Sequence, residues 1–396
     1  MKTVIVCISD PYLVRGKQLR DYYRSQNDEV TILTPDYSHS AKKKMTEADP
    51  DVQMVHHLPY KKNLSLKRMA GHFLFAKECL KVIEKIRPDR IHCMLPANSL
   101  GPQISRYKKK HPETELIFDV VDLWPESFPV PVKITGIGIW KNMRQKSLPE
   151  ADRVFIECDY YRKYLPAEVQ SAEVLYWAGE NHHPDLKAVW NPEEIDLAYL
   201  GSMNNILDIE LVSEFLKALA ENRTVRLHLI GAGEKKPLLL EALSHTAVDV
   251  KDHGVIYDPA VKQQIFNCCR FGLNLMKENV LVGLSMKSID YFQSGLPVIN
   301  SLAGDTWSFI EQNQAGINLD RQNLQSSAQI VLNQTSEENL DMRKHSRGLF
   351  LQNFSSESFF RQLSHVQHQK TESSSSPSAV QPLQAEPRKA DNHDKF

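Results

Sequence analysis

The chain has 396 residues, enough for two domains of ordinary size and too many for a single core. With 41% hydrophobic and 24% charged residues its composition is that of a soluble globular protein, and no run reaches the roughly 18 to 20 apolar residues that cross a bilayer. The net charge is −1, yet residues 61–110 alone hold 13 basic against 3 acidic side chains. That basic segment lacks the interleaved aromatic platform of a nucleic-acid reader, which argues against such a partner.

The chain opens on a strand pattern, Met1 to Ile8, with an apolar run too short for a signal-peptide core, so a cytoplasmic protein is expected. Six cysteines lie mostly within predicted strands and helices without metal-type spacing, as reduced core residues would, and no metal site is expected. Strands are predicted at Thr3–Ile8, Val30–Leu33, Arg90–Cys93, Leu116–Val121, Arg153–Ile156 and Val174–Tyr176, with helical spacing over Leu66–Ile86 and Ile104–Lys109. The polar, proline-bearing stretch Ala178–Pro192 breaks this pattern and marks a linker. A second alternation follows. Its strands are Asp196–Leu200, Arg226–Ile230, Phe271–Leu275 and Pro297–Asn300, and its helices lie near Ile206–Ala220, Pro237–Leu243 and Val261–Cys268. Strands alternating with helices predict an α/β protein with two doubly wound parallel sheets. The expected division is 1–178 for the first domain, 179–191 for the linker, 192–345 for the second domain, 346–369 for closing helices and 370–396 for a disordered, Ser- and Pro-rich tail.

The most informative stretch is Val282–Asn300, which reads as a loop, a short helix and a buried strand in succession. Gly283, Leu284 and Ser285 form the loop, and a helix beginning near Lys287 offers free N–H groups and a positive dipole end to a diphosphate. Asp290, one turn in, places a carboxylate where it can accept hydrogen bonds from both hydroxyls of a ribose. Gly201 and Ser202 end the first strand of the second domain, and Gly231 and Gly233 form a Gly-x-Gly turn before Lys235 and Lys236; either pair is a strand-to-helix turn or a phosphate contact. In the first domain, the run Phe118 to Ser127 brings Asp122, Trp124 and Glu126 to the carboxyl end of a strand. There the acids can orient a hydroxyl and the indole can stack on a sugar, or the acids can cap a helix over a core tryptophan.

The 282–300 segment resembles the donor-binding signature of retaining GT-B glycosyltransferases, family 4 in particular: two glutamates separated by seven residues, then a Gly-x-Pro-Val strand. Counting back from Gly295 puts Asp290 at the second glutamate and Val282 at the first, so the first acid is missing. A branch of the family carries Lys-x-x-Glu-Tyr at this point, and Lys287-Ser-Ile-Asp290-Tyr291 resembles that form. The resemblance implies the GT-B plan of two Rossmann-like domains facing across a cleft. It makes Gly201, Ser202, Gly231, Gly233, Gly254, Gly283, Leu284, Ser285, Lys287 and Asp290 the donor-nucleotide side, with the backbone after His253-Gly254 beside the base. Asp122 and Lys287 become the catalytic candidates, and Arg15, Gly16, Trp124 and Glu126 the acceptor side, with Arg15-Gly16 read as a loop. The implied activity is retaining transfer of a sugar from a nucleotide sugar, expected to be a UDP-sugar, to a glycan or lipid-linked acceptor in cell-surface polysaccharide or glycoconjugate synthesis. No other cofactor is implied. Contact of the basic first-domain segment with an anionic membrane would suit a lipid-linked acceptor at the inner face of the plasma membrane. Two other readings stay open: a nucleotide-sugar 2-epimerase of the same fold, and a non-catalytic partner subunit, for which the missing acid at Val282 speaks.

Overall fold

The computed structural model describes residues 1–46, 49–63, 65–127, 137–182, 186, 191 and 193–374. The first domain runs β1 (Lys2–Val6), α1 (Asp10–Ser25), β2 (Glu29–Pro35), β3 (Val52–Val55), α2 (Leu66–Ile86), β4 (Arg90–Leu95), α3 (Leu100–Lys110), β5 (Glu115–Val120), α4 (Ile137–Ser147), β6 (Arg153–Ile156) and β7 (Glu173–Val174). Its seven strands lie in the order β3-β2-β1-β4-β5-β6-β7 and pair in parallel. The second domain runs β8 (Glu194–Leu200), α5 (Ile209–Ala220), β9 (Thr224–Ile230), α6 (Lys236–Ser244), β10 (Val248–Gly254), α7 (Pro259–Cys268), β11 (Phe271–Asn274), α8 (Met286–Gln293), β12 (Val298–Asn300), α9 (Asp305–Asn313), β13 (Gly316–Asn318) and α10 (Leu324–Asn333). Its sheet order is β10-β9-β8-β11-β12-β13, again parallel. The central strands β1, β4, β5 and β8 are largely buried on both faces, which is why they read as mostly apolar runs. The strands missed in the sequence are β3, β10 and β13, which are short or polar and sit at sheet edges.

Two further helices, α11 (Ser336–Asn353) and α12 (Ser356–Ser374), close the chain. α12 returns to the first domain: Phe360 meets the Tyr22 ring edge-on at 5.5 Å, Phe359 lies under Arg15, and the Gln362 side-chain oxygen accepts from the Tyr176 N–H. It extends to Ser374, past residue 370, where order was expected to stop. The chain is packed as it enters the expected linker, with Trp177 and Ala178 buried before it and the Gly179 N–H bonded to the Phe354 carbonyl at 2.8 Å. Linker residues 183–185 and 187–190, the apolar segment 128–136 and the tail 375–396 lie outside the described residues. Among the described residues, no helix is long and apolar enough to cross a membrane.

Candidate functional site

The second-domain loop at 283–285 is fixed by an asparagine ladder. Asn274, Asn300 and Asn318 stand in register at the carboxyl ends of β11, β12 and β13. Asn274 donates to the Asn300 side-chain oxygen at 2.8 Å, and Asn300 to that of Asn318 at 3.0 Å. Asn274 also donates to the Ser288 hydroxyl and accepts from that of Ser285, the N-cap of α8. Ser285 and Leu284 therefore face inward, 6% and 2% exposed, so only their backbone can reach a ligand. Gly283 meets the first domain: a Cβ there would lie 2.5 Å from Tyr160 Cβ and 2.7 Å from Cys158 Sγ. Its lack of a side chain lets the two domains touch, a structural reason for this glycine beside the expected one.

Lys287, in the first turn of α8, lies with its ammonium 4.2 Å from the centre of the Tyr199 ring and donates to the Tyr199 hydroxyl at 3.1 Å. That hydroxyl in turn donates to the Ser202 carbonyl at 3.0 Å. Lys287 pairs with no carboxylate among the described residues, and burial pulls its ammonium down to about 7. Gly201, at φ +107°, borders the same side chain, since a Cβ there would sit 3.8 Å from Lys287 Cε. Gly231 and Gly233 are set by a close approach of loops: a Cβ on either would lie 2.1 Å from the carbonyl oxygen of Gly201 or Met203. Of the cations after them, Lys236 is paired with Asp252 at 2.6 Å.

Asp290 faces a cavity of about 460 Å³ lined also by His182, Asp258, Lys262, Gln263 and Gln293. Burial raises its carboxyl, with Lys262 and His182 opposing. Tyr291 next to it is fully buried; its hydroxyl accepts from the Leu200 N–H at 2.7 Å and ties α8 to β8. Gly254, at φ +64°, turns the chain from β10 into the exposed Val255 and Tyr257, just before the Asp258 that lines the cavity.

On the first-domain side the expected acceptor residues divide. Arg15 and Gly16 lie inside α1 and are buried, so they form no loop and reach no ligand. Arg15 forms a bidentate pair with Asp119 at 2.7 and 3.0 Å and donates to the Leu175 and Tyr176 carbonyls, a satisfied buried cation. Glu126 gives both oxygens to Arg144, which removes it from the acceptor set as a free acid. Trp124 is half-buried in a ring cluster with Trp140 at 5.3 Å and His72 at 6.2 Å. Asp122 remains: it accepts from the Ser127 hydroxyl, and burial raises its carboxyl. Glu157 is coupled to it, 7% exposed and pushed well up by burial and by Asp122.

The domains are joined at this place. Asp305 begins α9, and its carboxylate accepts the Asp159 and Tyr160 N–H groups, each at 2.8 Å, at the start of a short 3₁₀ turn in the first domain. Thr306 donates from backbone and side chain to the Gly283 carbonyl.

Residues 194–335 match the sequence model of the family described as Glycosyl transferases group 1. Among solved structures, the chain is similar to sucrose-phosphate synthase from Thermosynechococcus elongatus, at 14% identity and a TM-score of 0.70 over 94% of this chain and 100% of that one. Anabaena HepE in complex with UDP and glucose aligns at 14% identity and a TM-score of 0.66 over 93% and 100% of the two chains. The chain has the GT-B glycosyltransferase fold. A lipopolysaccharide outer core galactosyltransferase, WaaB, in its apo form, shares the GT-B plan at 13% identity and a TM-score of 0.66 over 93% and 100%. No curated protein sequence matches.

In a GT-B frame the carboxyl ends of both sheets face the cleft, and there the structure gathers Lys287, Gly201 and Ser202 around Tyr199, with Asp122 and Glu157 across the domain seam. Sequence reading missed Tyr199, Glu157 and Asp305. Tyr199 lies within the apolar strand β8 and Glu157 directly follows β6, so neither had a local signal to set it apart from a core or strand-end residue. Asp305 follows a Gly at φ +87°, which could have signalled a tight domain contact.

Proposed function

We propose that the protein is a retaining glycosyltransferase that moves a sugar from a nucleotide sugar, a UDP-sugar in the first instance, to a glycan or glycolipid acceptor. Lys287 carries this reading. A desolvated cation without a carboxylate partner among the described residues, at a helix N-terminus, is stabilised by an anion such as a diphosphate. The reaction breaks the bond from the anomeric carbon to the diphosphate oxygen and forms one to the acceptor oxygen on the same face. The acceptor proton passes to the departing diphosphate, whose growing charge Lys287 and the α8 amides stabilise. Asp290 would hold the ribose, and Asp122, with Glu157 beside it, would orient the acceptor hydroxyl. Neighbours of the same fold are described with UDP and with UDP-glucose, which supports the donor class. We place the activity in the cytoplasm, in cell-surface polysaccharide or glycoconjugate synthesis.

Membrane contact through the basic segment belongs to this reading in reduced form. Lys108 is bonded to Asp152 at 2.8 Å and Lys109 to Glu150 at 2.9 Å, so only part of the lysine run is available to lipid. Val282 favours the second reading, a non-catalytic partner that binds nucleotide without turnover. Incubation with a panel of UDP-sugars separates the outcomes: release of UDP with transfer or hydrolysis supports the transferase, interconversion of sugars an epimerase, and binding without any reaction the partner.

A further inference from the structure

Arg68 and Lys42 form a second cationic cluster with no matching acid, on the first-domain side. Arg68 lies in the first turn of α2, its guanidinium carbon 5.7 Å from the centre of the Tyr60 ring, and Lys42 Nζ lies 4.6 Å from the same centre. Lys42 donates to the Asn63 side-chain oxygen and Arg68 to the Asn63 carbonyl at 3.0 Å and to the Tyr60 side chain, and among the described residues neither meets a carboxylate within ion-pair distance. The Arg68 Nε is buried and has no partner. The first turn of α2 contains no acid, although a helix N-terminus favours one, and places Lys67 beside Arg68 instead.

Asp10, whose hydrogen bonds keep it ionised and which opposes the fall of Lys42, offsets only part of the two positive charges. Asp10 gives its oxygens to the Ser38 hydroxyl at 2.9 Å, the His39 N–H at 2.7 Å and the Ser40 N–H. Asp122 feels Arg68 but accepts from Ser127. Burial, then Arg68 and Lys42, depress His39 to about 4, so the imidazole bonded to the Tyr60 hydroxyl is neutral; burial and Arg68 likewise lower Lys42. Two like charges held over one ring cost free energy unless an anion joins them. The cluster sits past the carboxyl ends of β2 and β3, on the cleft side of the sheet that also carries Asp122.

We propose that Arg68 and Lys42, with Tyr60 beneath them, bind an oxyanion carried by the acceptor, a carboxylate or a phosphate group. The word acceptor rests on the transferase reading; the anion site does not. It makes the acceptor an acidic glycan or a phosphorylated carrier, held by its charge while its hydroxyl is presented near Asp122.

The test is calorimetric titration of the full chain with methyl phosphate and with sodium glucuronate at matched ionic strength. The unmodified protein and Lys110→Gln, changed at an exposed lysine outside both sites, should bind the anion alike, while Arg68→Gln and Lys42→Gln should each weaken it tenfold or more; Arg68→Lys should restore part of the loss. Preference for methyl phosphate identifies a phosphorylated acceptor, and preference for glucuronate an acidic sugar. Absent saturable binding, equal affinity in Arg68→Gln and Lys42→Gln, or loss in Lys287→Ala alone would overturn the proposal. Nucleoside diphosphate affinity in Arg68→Gln is read in parallel: if it persists while anion binding is absent from the unmodified protein, this inference fails and the donor reading stands.

Discussion

The Lys287 ammonium donates to the Tyr199 hydroxyl at 3.1 Å, and no carboxylate among the described residues offsets its charge. With the ammonium near 7, binding a diphosphate must recruit a proton above that pH. Affinity for a nucleoside diphosphate should fall by up to about tenfold per pH unit between pH 7.5 and 9, and Lys287→Arg should flatten the profile, because a guanidinium stays charged. Calorimetry in buffers of different ionisation enthalpy should show proton uptake in the unmodified protein alone. The sign for stability is opposite: the unfolded lysine titrates near 10.5, so between the two values the unfolded chain binds more protons and stability rises with pH.

Replacing the two donor-side residues should give losses of different kind. Asp290→Asn should weaken nucleoside and nucleoside diphosphate alike by about 1.5 to 3 kcal/mol, the worth of charged hydrogen bonds to the ribose. Lys287→Ala should spare the nucleoside and slow turnover as well, since charge on the leaving group grows in the transition state. Unchanged diphosphate affinity in both variants would remove this loop as the donor site.

Arg15 acts on stability alone. Arg15→Met leaves Asp119 buried without its cation and should cost about 3 to 5 kcal/mol in denaturant unfolding. Acceptor KM in the folded fraction should stay unchanged; a shift in KM with unaltered stability would contradict its burial in α1.

Asp305→Ala removes two charge-assisted hydrogen bonds between the domains, 2.8 Å each. The loss should be about 2 to 4 kcal/mol, with faster hydrogen exchange at the Asp159 and Tyr160 amides. Exchange rates at those amides equal to the unmodified protein's would show that the contact does not hold the domains.

Much was legible in the sequence because it rests on local pattern. Buried parallel strands such as Val4–Val6 and Leu116–Phe118 must be apolar on both faces, and α8 was legible from the loop at Gly283 before it and the Gly295-Leu-Pro297 exit beyond it. The missing acid at Val282 and the position of Asp290 are likewise facts of spacing. α1 went unread: Leu13, Leu19, Tyr22 and Tyr23 are its buried apolar residues, but Arg15-Gly16 among them read as a loop because an arginine at a core position has no local explanation. Its explanation is Asp119, 104 residues away. Tertiary structure alone decided which polar groups were already satisfied. Glu126 is taken by Arg144, Lys236 by Asp252 and Lys108 by Asp152, whereas Lys287, Lys42 and Arg68 have no carboxylate partner among the described residues. A charge is available to a ligand only when no partner from elsewhere in the chain has reached it, and that depends on how distant segments meet, which residue spacing does not encode.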